Sequence, residues 1–432
     1  MRHLTYIPAP VAEFPPFRTV VKLDSHESQS CVSRAVFDFT FIRPQGRSNG
    51  EPEMQNKNQV GKSLLLSSIL AVCSASALAG GKIQIDDTRW ISVGAGIRTS
   101  ISSASDSAPN GTSRGNNFNL ENMRLYIAGQ VTEDFKFYFG TDKMWGEYGV
   151  LDAIVQYEPG DSFNVWMGRM LTPADRIEMN GPFYGLTWGQ YTVPLYPSDN
   201  DGSNGADGVA GTYGRDEGIT VWGSMGKFQY AVGVFDGYSG TANQTDAPLF
   251  ATRLAYNFFN KEANPGYYTS STYYGKAGDI LTLGISAQSQ SDGYGTATQS
   301  GSFSGYAIDG LFEKPLSDGS VITVEGEYKS FDISTSATTP VFSMFDGEAY
   351  FASAAYLMGT QYGSGKLQPY VRYTSNKPSV GDSSSLSEFG VNYIISGHNM
   401  KLNLNFTSGD ASASGSKGTD TNTVLFGMQF QI

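Results

Sequence analysis

Few side chains in this sequence are equipped for bond-making chemistry. There are three histidines, His3, His26 and His398, and two cysteines, Cys31 and Cys73. Nucleophilic catalysis needs a Ser, Cys or Thr beside a base that a third group holds in place. After Cys73 the one histidine is His398, in the turn-like stretch Ser396-Gly-His-Asn399, so a histidine-dependent triad lacks material. A Ser–Asp or Asp–Asp pair is the hydrolytic arrangement that composition still allows. One stretch, Asp199-Asn-Asp-Gly-Ser-Asn-Gly-Ala-Asp207, has Asp/Asn spacing like the start of a calcium loop. Its sixth position is Asn204, where the loop needs glycine, and its twelfth, Ala210, cannot supply a bidentate carboxylate. It reads better as a flexible acidic loop, so no metal and no other cofactor is expected.

What remains is electrostatic. Arg98, Arg124, Lys136, Arg253, Lys329, Arg372 and Lys401 occupy the polar parity of segments that alternate apolar with polar residues. Asp142, Asp152, Glu325, Glu327 and Glu388 share that parity, whereas Arg169 lies in a segment apolar on both. Charges ringing a pore set the ion preference of that pore; the same charges on an ordinary surface only solvate and neutralise one another. Which applies depends on the elements that carry them.

Those elements read as strands. In a strand, successive side chains point to opposite faces. Val424, Phe426, Met428, Phe430 and Ile432 share one parity, against Leu425, Gly427, Gln429 and Gln431. Leu281, Leu283 and Ile285 alternate with Thr282, Gly284 and Ser286, and Leu402, Leu404 and Phe406 with Lys401, Asn403 and Asn405. An amphipathic last strand with an apolar end looks like the closing strand of a bacterial outer-membrane barrel. Composition agrees: 51 Gly, 25 Tyr and 26 Phe accompany a mean hydropathy of −0.26. Helical spans would need runs of roughly twenty apolar residues.

The one apolar run that comes near is Ser63–Ala79. Lys57 and Lys62 precede it, its core is short, and Ala77-Leu-Ala79 has the form of a signal-peptidase site. Val72 before Cys73 is too large for a lipoprotein site. Residues 54–79 therefore read as a secretory signal. Residues 1–53 read as an upstream start wrongly chosen, with Met54 the initiator, or as an extended leader. The exported chain then has no cysteine, which avoids mispairing in an oxidising compartment. Removing 8 basic and 6 acidic residues from 29 and 41 leaves 21 and 35, a formal charge of −14. Such a balance argues against a nucleic-acid partner.

From Trp90 onward, segments of about ten residues alternate in this way, the signature of a membrane barrel. Short links fall at 132–134, 159–161, 223–227, 315–319 and 396–398. Longer Gly/Ser/Asp-rich links alternate with them at 102–117, 171–214, 237–246, 291–301, 334–343, 376–384 and 409–418. The expected fold is all-β: a transmembrane antiparallel β-barrel of about sixteen strands over residues 80–432, with short periplasmic turns and long extracellular loops. Tyr157, Tyr256, Phe258, Tyr328 and Tyr373 near strand ends supply candidate interface girdles. Residues 257–279 break the pattern, being long where a short turn belongs.

Several phrases resemble the porin family that includes the phosphate-selective and pyrophosphate-selective outer-membrane porins. They are Phe118-Asn-Leu-Glu-Asn-Met-Arg-Leu125, Leu151-Asp-Ala-Ile-Val-Gln-Tyr157, Val165-Trp-Met-Gly-Arg-Met-Leu-Thr-Pro173, Gly214-Arg-Asp-Glu-Gly218, Tyr230–Gly237, Arg253-Leu-Ala-Tyr256 and Gln368-Pro-Tyr-Val-Arg-Tyr373, in family order. The resemblance implies a sixteen-stranded, general porin-like channel for passive diffusion of ions and small hydrophilic solutes. It implies a homotrimer as well, with outer-membrane lipid, lipopolysaccharide and the barrel-assembly machinery as partners. It also implies that the long loop 171–214 folds inward as a constriction. That loop carries Asp175, Arg176, Glu178, Tyr184, Trp188 and Tyr191, of which the three aromatics suggest a sugar track. Arg176 is its one basic residue, a departure from phosphate-selective members, which have dense lysine and arginine there. A non-conducting structural or adhesive barrel and an outer-membrane hydrolase are the alternatives.

Overall fold

The structure, a computed structural model, describes residues 80–144, 147–189, 196, 214–238, 242–334, 346–410 and 418–432. Residues 1–53 and 54–79, read above as leader and secretory signal, lie outside the described residues, as do Tyr191 and the calcium-like stretch 199–207. The strands are β1 (Gly80–Gln84), β2 (Trp90–Ala104), β3 (Gly115–Gln130), β4 (Phe135–Met144), β5 (Glu147–Tyr157) and β6 (Asn164–Leu171). There follow β7 (Arg215–Met225), β8 (Phe228–Phe235), β9 (Leu249–Asn257), β10 (Ile280–Thr296), β11 (Gln299–Pro315) and β12 (Val321–Ser334). The last are β13 (Gly347–Leu357), β14 (Gln361–Tyr362), β15 (Gly365–Pro378), β16 (Ser384–Ile394), β17 (Met400–Asp410) and β18 (Thr421–Gln431).

Sixteen of these eighteen, β2–β13 and β15–β18, form one closed antiparallel ring. β18 closes it on β2, with Thr423 opposite Ala104 and Gln431 opposite Gly96. Where β18 ends, β1 takes over the same edge of β2, with Gly80 opposite Gly94. The handover is tight: Ala95 and Ile432 exchange backbone hydrogen bonds of 3.1 and 2.9 Å. No edge of β2 is left unpaired through this junction, as hydrocarbon demands of any spanning backbone.

The alternation read from sequence decides which face is which. Leu283 and Ile285 are 50% and 52% exposed on the outer face, whereas Thr282 and Ser286 are 1% and 5% exposed on the inner. Val424, Phe426 and Phe430 likewise face out and Gln429 and Gln431 in. In water such a continuous apolar face would aggregate; in lipid it is the solvated one, and the ring is an integral membrane barrel. Aromatic pairs mark both rims: Phe135 with Tyr157 and Tyr256 with Phe258 on the short-turn side, Tyr350 with Tyr373 on the other, at ring separations of 5.0, 4.9 and 6.1 Å.

One expected loop is a correction. Residues 291–301, Gly/Ser-rich and read as a long link, belong to β10 and β11, which meet in a turn at 297–298. Small polar residues extend a ladder once a neighbour is there to pair with, and here Ser300 faces Gly295. The register shift between Gln290 and Tyr294 is taken up where Asp292 turns left-handed, at φ +54°.

Candidate functional site

The interior of the ring is occupied. The long link 171–214 turns inward after Leu171, and its described stretch 172–189 crosses the lumen. An irregular segment inside a barrel leaves backbone groups without partners, and the wall supplies them. On the β9–β12 side, Arg253 donates to the Ala174 carbonyl at 3.0 Å and Gln288 to the Pro173 carbonyl at 3.1 Å. Asp309 accepts from the Arg176 amide, and Lys329 pairs with Asp175 at 2.7 Å. On the opposite arc four wall side chains capture four carbonyls in succession. Gln429 reaches Phe183, Lys401 reaches Gly185, Asn392 reaches Leu186 and Arg98 reaches Trp188, all within 2.7–2.9 Å.

Trp188 settles against β18 because position 427 is glycine; a Cβ there would lie 2.6 Å from the indole. The Arg98 guanidinium stacks 4.1 Å over the same ring, and Glu121 accepts its N–H at 3.0 Å. Tyr184 packs instead on His398, 5.0 Å between rings. The two aromatics of the suggested sugar track that lie among the described residues thus face different partners.

A second segment enters from the short-turn side. Residues 258–279 begin as a hairpin base, Phe258 donating to Leu281 and Asn260 to Asp279 at 2.7 and 3.0 Å. The chain between then rises into the lumen and runs beside the inward loop. The Thr269 amide donates to Met179 and the Ser271 amide to Tyr184, at 3.1 and 3.2 Å. The Thr269 hydroxyl donates to the Arg176 carbonyl at 2.6 Å and the Tyr267 hydroxyl to Leu171 at 2.6 Å. At the centre Arg176 grips Glu262 through two nitrogens at 2.9 and 2.6 Å. Burial alone would raise the Glu262 carboxyl; the adjacent Arg176 charge outweighs it and holds the group below its ordinary range. The wall anchors the far limb through Glu313, which accepts from Thr272, Tyr273, Gly275 and Thr323.

His398 joins the two segments. Its ring nitrogens lie 3.1 Å from the Phe183 carbonyl and 2.9 Å from that of Thr272. Burial, with the Lys401 charge nearby, pushes it down to about 3 against the pull of the two carbonyls; a neutral ring carries one N–H and donates to one of them at a time.

The sequence-selected charges therefore sit on the inner face, most of them in pairs. Arg124 meets Asp142 at 2.7 Å, Arg372 meets Glu388 at 3.0 Å, and Arg253 meets Asp309 at 2.5 Å. Asp152 pairs with Arg215 at 2.9 Å, Glu327 lies 3.4 Å from Lys329, and Glu325 is buried. Lys136 stands apart at the short-turn rim, half-buried against Glu158. Glu178 is buried, its amide bonded to Asp175, and Arg169 is buried beyond a bend at Gly168. Glu262, Glu313 and the 267–275 stretch were not selected by sequence, and His398 was noted only as a turn histidine; for Glu262 and 267–275 the one signal was the excess length of 257–279.

The sequence matches no family model and no curated protein. Solved structures of similar fold include an anion-selective porin from Comamonas acidovorans, with TM-score 0.53 and 12% identity over 80% of this chain and all, 100%, of that one. Salmonella typhi OmpF in complex with daunomycin gives TM-score 0.53 at 11% identity, covering 82% of this chain and 100% of that one. Outer-membrane expressed OmpT of Vibrio cholerae gives 0.50 at 11% identity, with coverage of 82% and 100%. At these identities the likeness is one of fold: a porin-like barrel.

Proposed function

We propose that this protein is a porin of the bacterial outer membrane, a channel through which ions and small hydrophilic solutes diffuse passively. The observation that carries the reading is the division of one ring of strands into a lipid-facing exterior and an interior of charged, amide and hydroxyl groups. Water replaces hydrocarbon for a solute on that inner face, and no covalent step is needed. Outer-membrane lipid and lipopolysaccharide, the barrel-assembly machinery and two further copies of the chain are the partners this reading implies.

The finer part of the proposal is a preference for anions. Arg98, Arg124, Arg372 and Lys401 line the arc from β15 through β18 to β3, and Lys401 reaches a carbonyl rather than a carboxylate. The facing arc of β11 and β12 carries Asp309, Glu313, Glu325 and Glu327. Dense lysine at the constriction is absent from the sequence of 171–214, so phosphate selectivity is not proposed. A hydrolase finds no support in the geometry around His398. Ser270 Oγ lies 3.3 Å away, but the other ring nitrogen meets the Phe183 carbonyl rather than an orienting carboxylate.

One observation favours a second reading, a non-conducting structural barrel: the lumen is crossed by two segments. Swelling of proteoliposomes in neutral sugars of graded size separates the two. A porin admits the smaller sugars and excludes the larger, and a structural barrel admits none. A potassium chloride gradient across the same vesicles then gives the ion preference by the sign of the potential.

A further inference from the structure

Residues 261–278 are more chain than the ring requires. Elsewhere on the short-turn side the strands are joined across 226–227 or 316–320. Here the hairpin is already closed at its base by the bonds of Phe258 to Leu281 and Asn260 to Asp279. We infer that residues 261–278 are a retractable gate, a flap that enters from the short-turn side, closes the lumen by clasping the inward loop, and opens it by withdrawing. The inference rests on the channel reading above and adds the element that moves.

Four features fit an element built to leave. First, the base bonds survive withdrawal, because they lie outside the flap. Second, the flap has left-handed glycines at Gly266, Gly275 and Gly278, with φ of +57°, +77° and +74°. Glycine absorbs large dihedral changes at such points. Tyr274 holds φ +55° in the closed state, a conformation disfavoured for a residue with a Cβ and relaxed on release.

Third, the clasp strands no charge when it opens. Removing one partner of a buried ion pair is costly when the other is left alone. Arg176 keeps Asp309, whose carboxylate is 3.5 Å from its Nε and accepts its backbone amide. Glu262, held ionised by Arg176, passes into water, where a carboxylate is well solvated. Fourth, the polar groups that hold the far limb are ones water can replace: Glu313 accepts from Thr272, Tyr273 and Gly275 with Thr323 beside it, and the limb's one apolar anchor is Tyr274 on Val321, Leu357 and Ile394. The near limb differs. Tyr267 and Tyr268 pack on Trp166 at 5.3 and 5.6 Å, which gives the flap an aromatic pivot, while its far limb is held by the Glu313 hydrogen bonds and the single ring of Tyr274.

The test is single-channel recording of refolded chains from Gly80 in planar bilayers. In one variant residues 261–278 are replaced by an Asn-Gly turn. In a second, Met179→Cys and Thr269→Cys are combined across the bond that joins loop and flap; no other cysteine follows Gly80, so this disulfide alone can form. A gate predicts that the flapless barrel stays open and conducts at least about twofold more. It also predicts that oxidising the cysteine pair cuts open time about tenfold, with recovery on reduction. Intact and flapless barrels conducting alike, or an oxidised pair opening as often as a reduced one, would overturn the gate and leave the channel reading standing. Silence from both intact and flapless barrels, each shown folded, would remove the channel reading and the gate with it. If the flapless chain does not fold, the cysteine pair decides alone.

Discussion

The outer and inner faces of the ring are made by the same strands and obey different rules. Outside, a residue such as Leu283 is placed by its parity alone, because lipid offers every apolar side chain the same environment. Inside, Arg176 is placed by Glu262 and Asp309, residues distant in sequence that happen to converge on it. The exterior is therefore a local pattern repeated around the ring, and the interior is a set of particular long-range agreements. Substitutions outside should act independently of one another; substitutions inside should act through their partners.

The largest effect is expected where an interior agreement is broken on one side. Arg176→Ala leaves Glu262 buried without its cation, while Asp309 keeps Arg253, at a cost of about 3–5 kcal/mol. It would appear as a lowered denaturant midpoint of the refolded barrel, and pairing it with Glu262→Gln should recover part of the loss. Next comes the exterior rule. Leu283→Arg puts a guanidinium in mid-depth lipid, costing about 2–4 kcal/mol in vesicle refolding, with no rescue from any single second change.

Gly427→Ala tests close approach inside, since its Cβ would press on Trp188; overpacking of this kind costs about 1–3 kcal/mol. Per pH unit, a similar or smaller effect should come from His398. Its folded pKa of about 3 lies below the ordinary 6.5, so the unfolded chain binds the proton first as pH falls. Stability is then whole above pH 6.5 and declines toward pH 3 by about 1.4 kcal/mol per pH unit. His398→Gln should flatten that slope in midpoints measured across pH. The smallest effect belongs to the rim: Tyr256→Ala loses its ring contact with Phe258, about 0.5–1.5 kcal/mol.

This division also explains what could be read in advance. Period-two alternation put Leu283, Ile285, Val424 and Phe426 outside and Arg98, Arg124, Lys329 and Lys401 inside, because parity is a property of neighbouring residues. It went astray at 291–301, where Gly and Ser suggested a loop and a waiting ladder partner made strand instead. The link 171–214 was marked out in advance by its length and by the family resemblance. Residues 257–279 were legible only as an anomaly. Nothing in Pro265-Gly-Tyr-Tyr-Thr-Ser270 distinguishes a flap in the lumen from a tail in the periplasm. Its placement depends on Arg176 and Glu313, which lie 86 residues before Glu262 and 41 after Thr272. Such pairings have no periodicity to reveal them.

The most direct test of the account is the current through a single refolded barrel, taken from Gly80, in a planar bilayer under a salt gradient. A porin whose lumen is crossed by two segments should give discrete ohmic steps separated by closed periods, with a reversal potential of the sign for anions. A barrel shown to be folded that passes no current at any potential would contradict it.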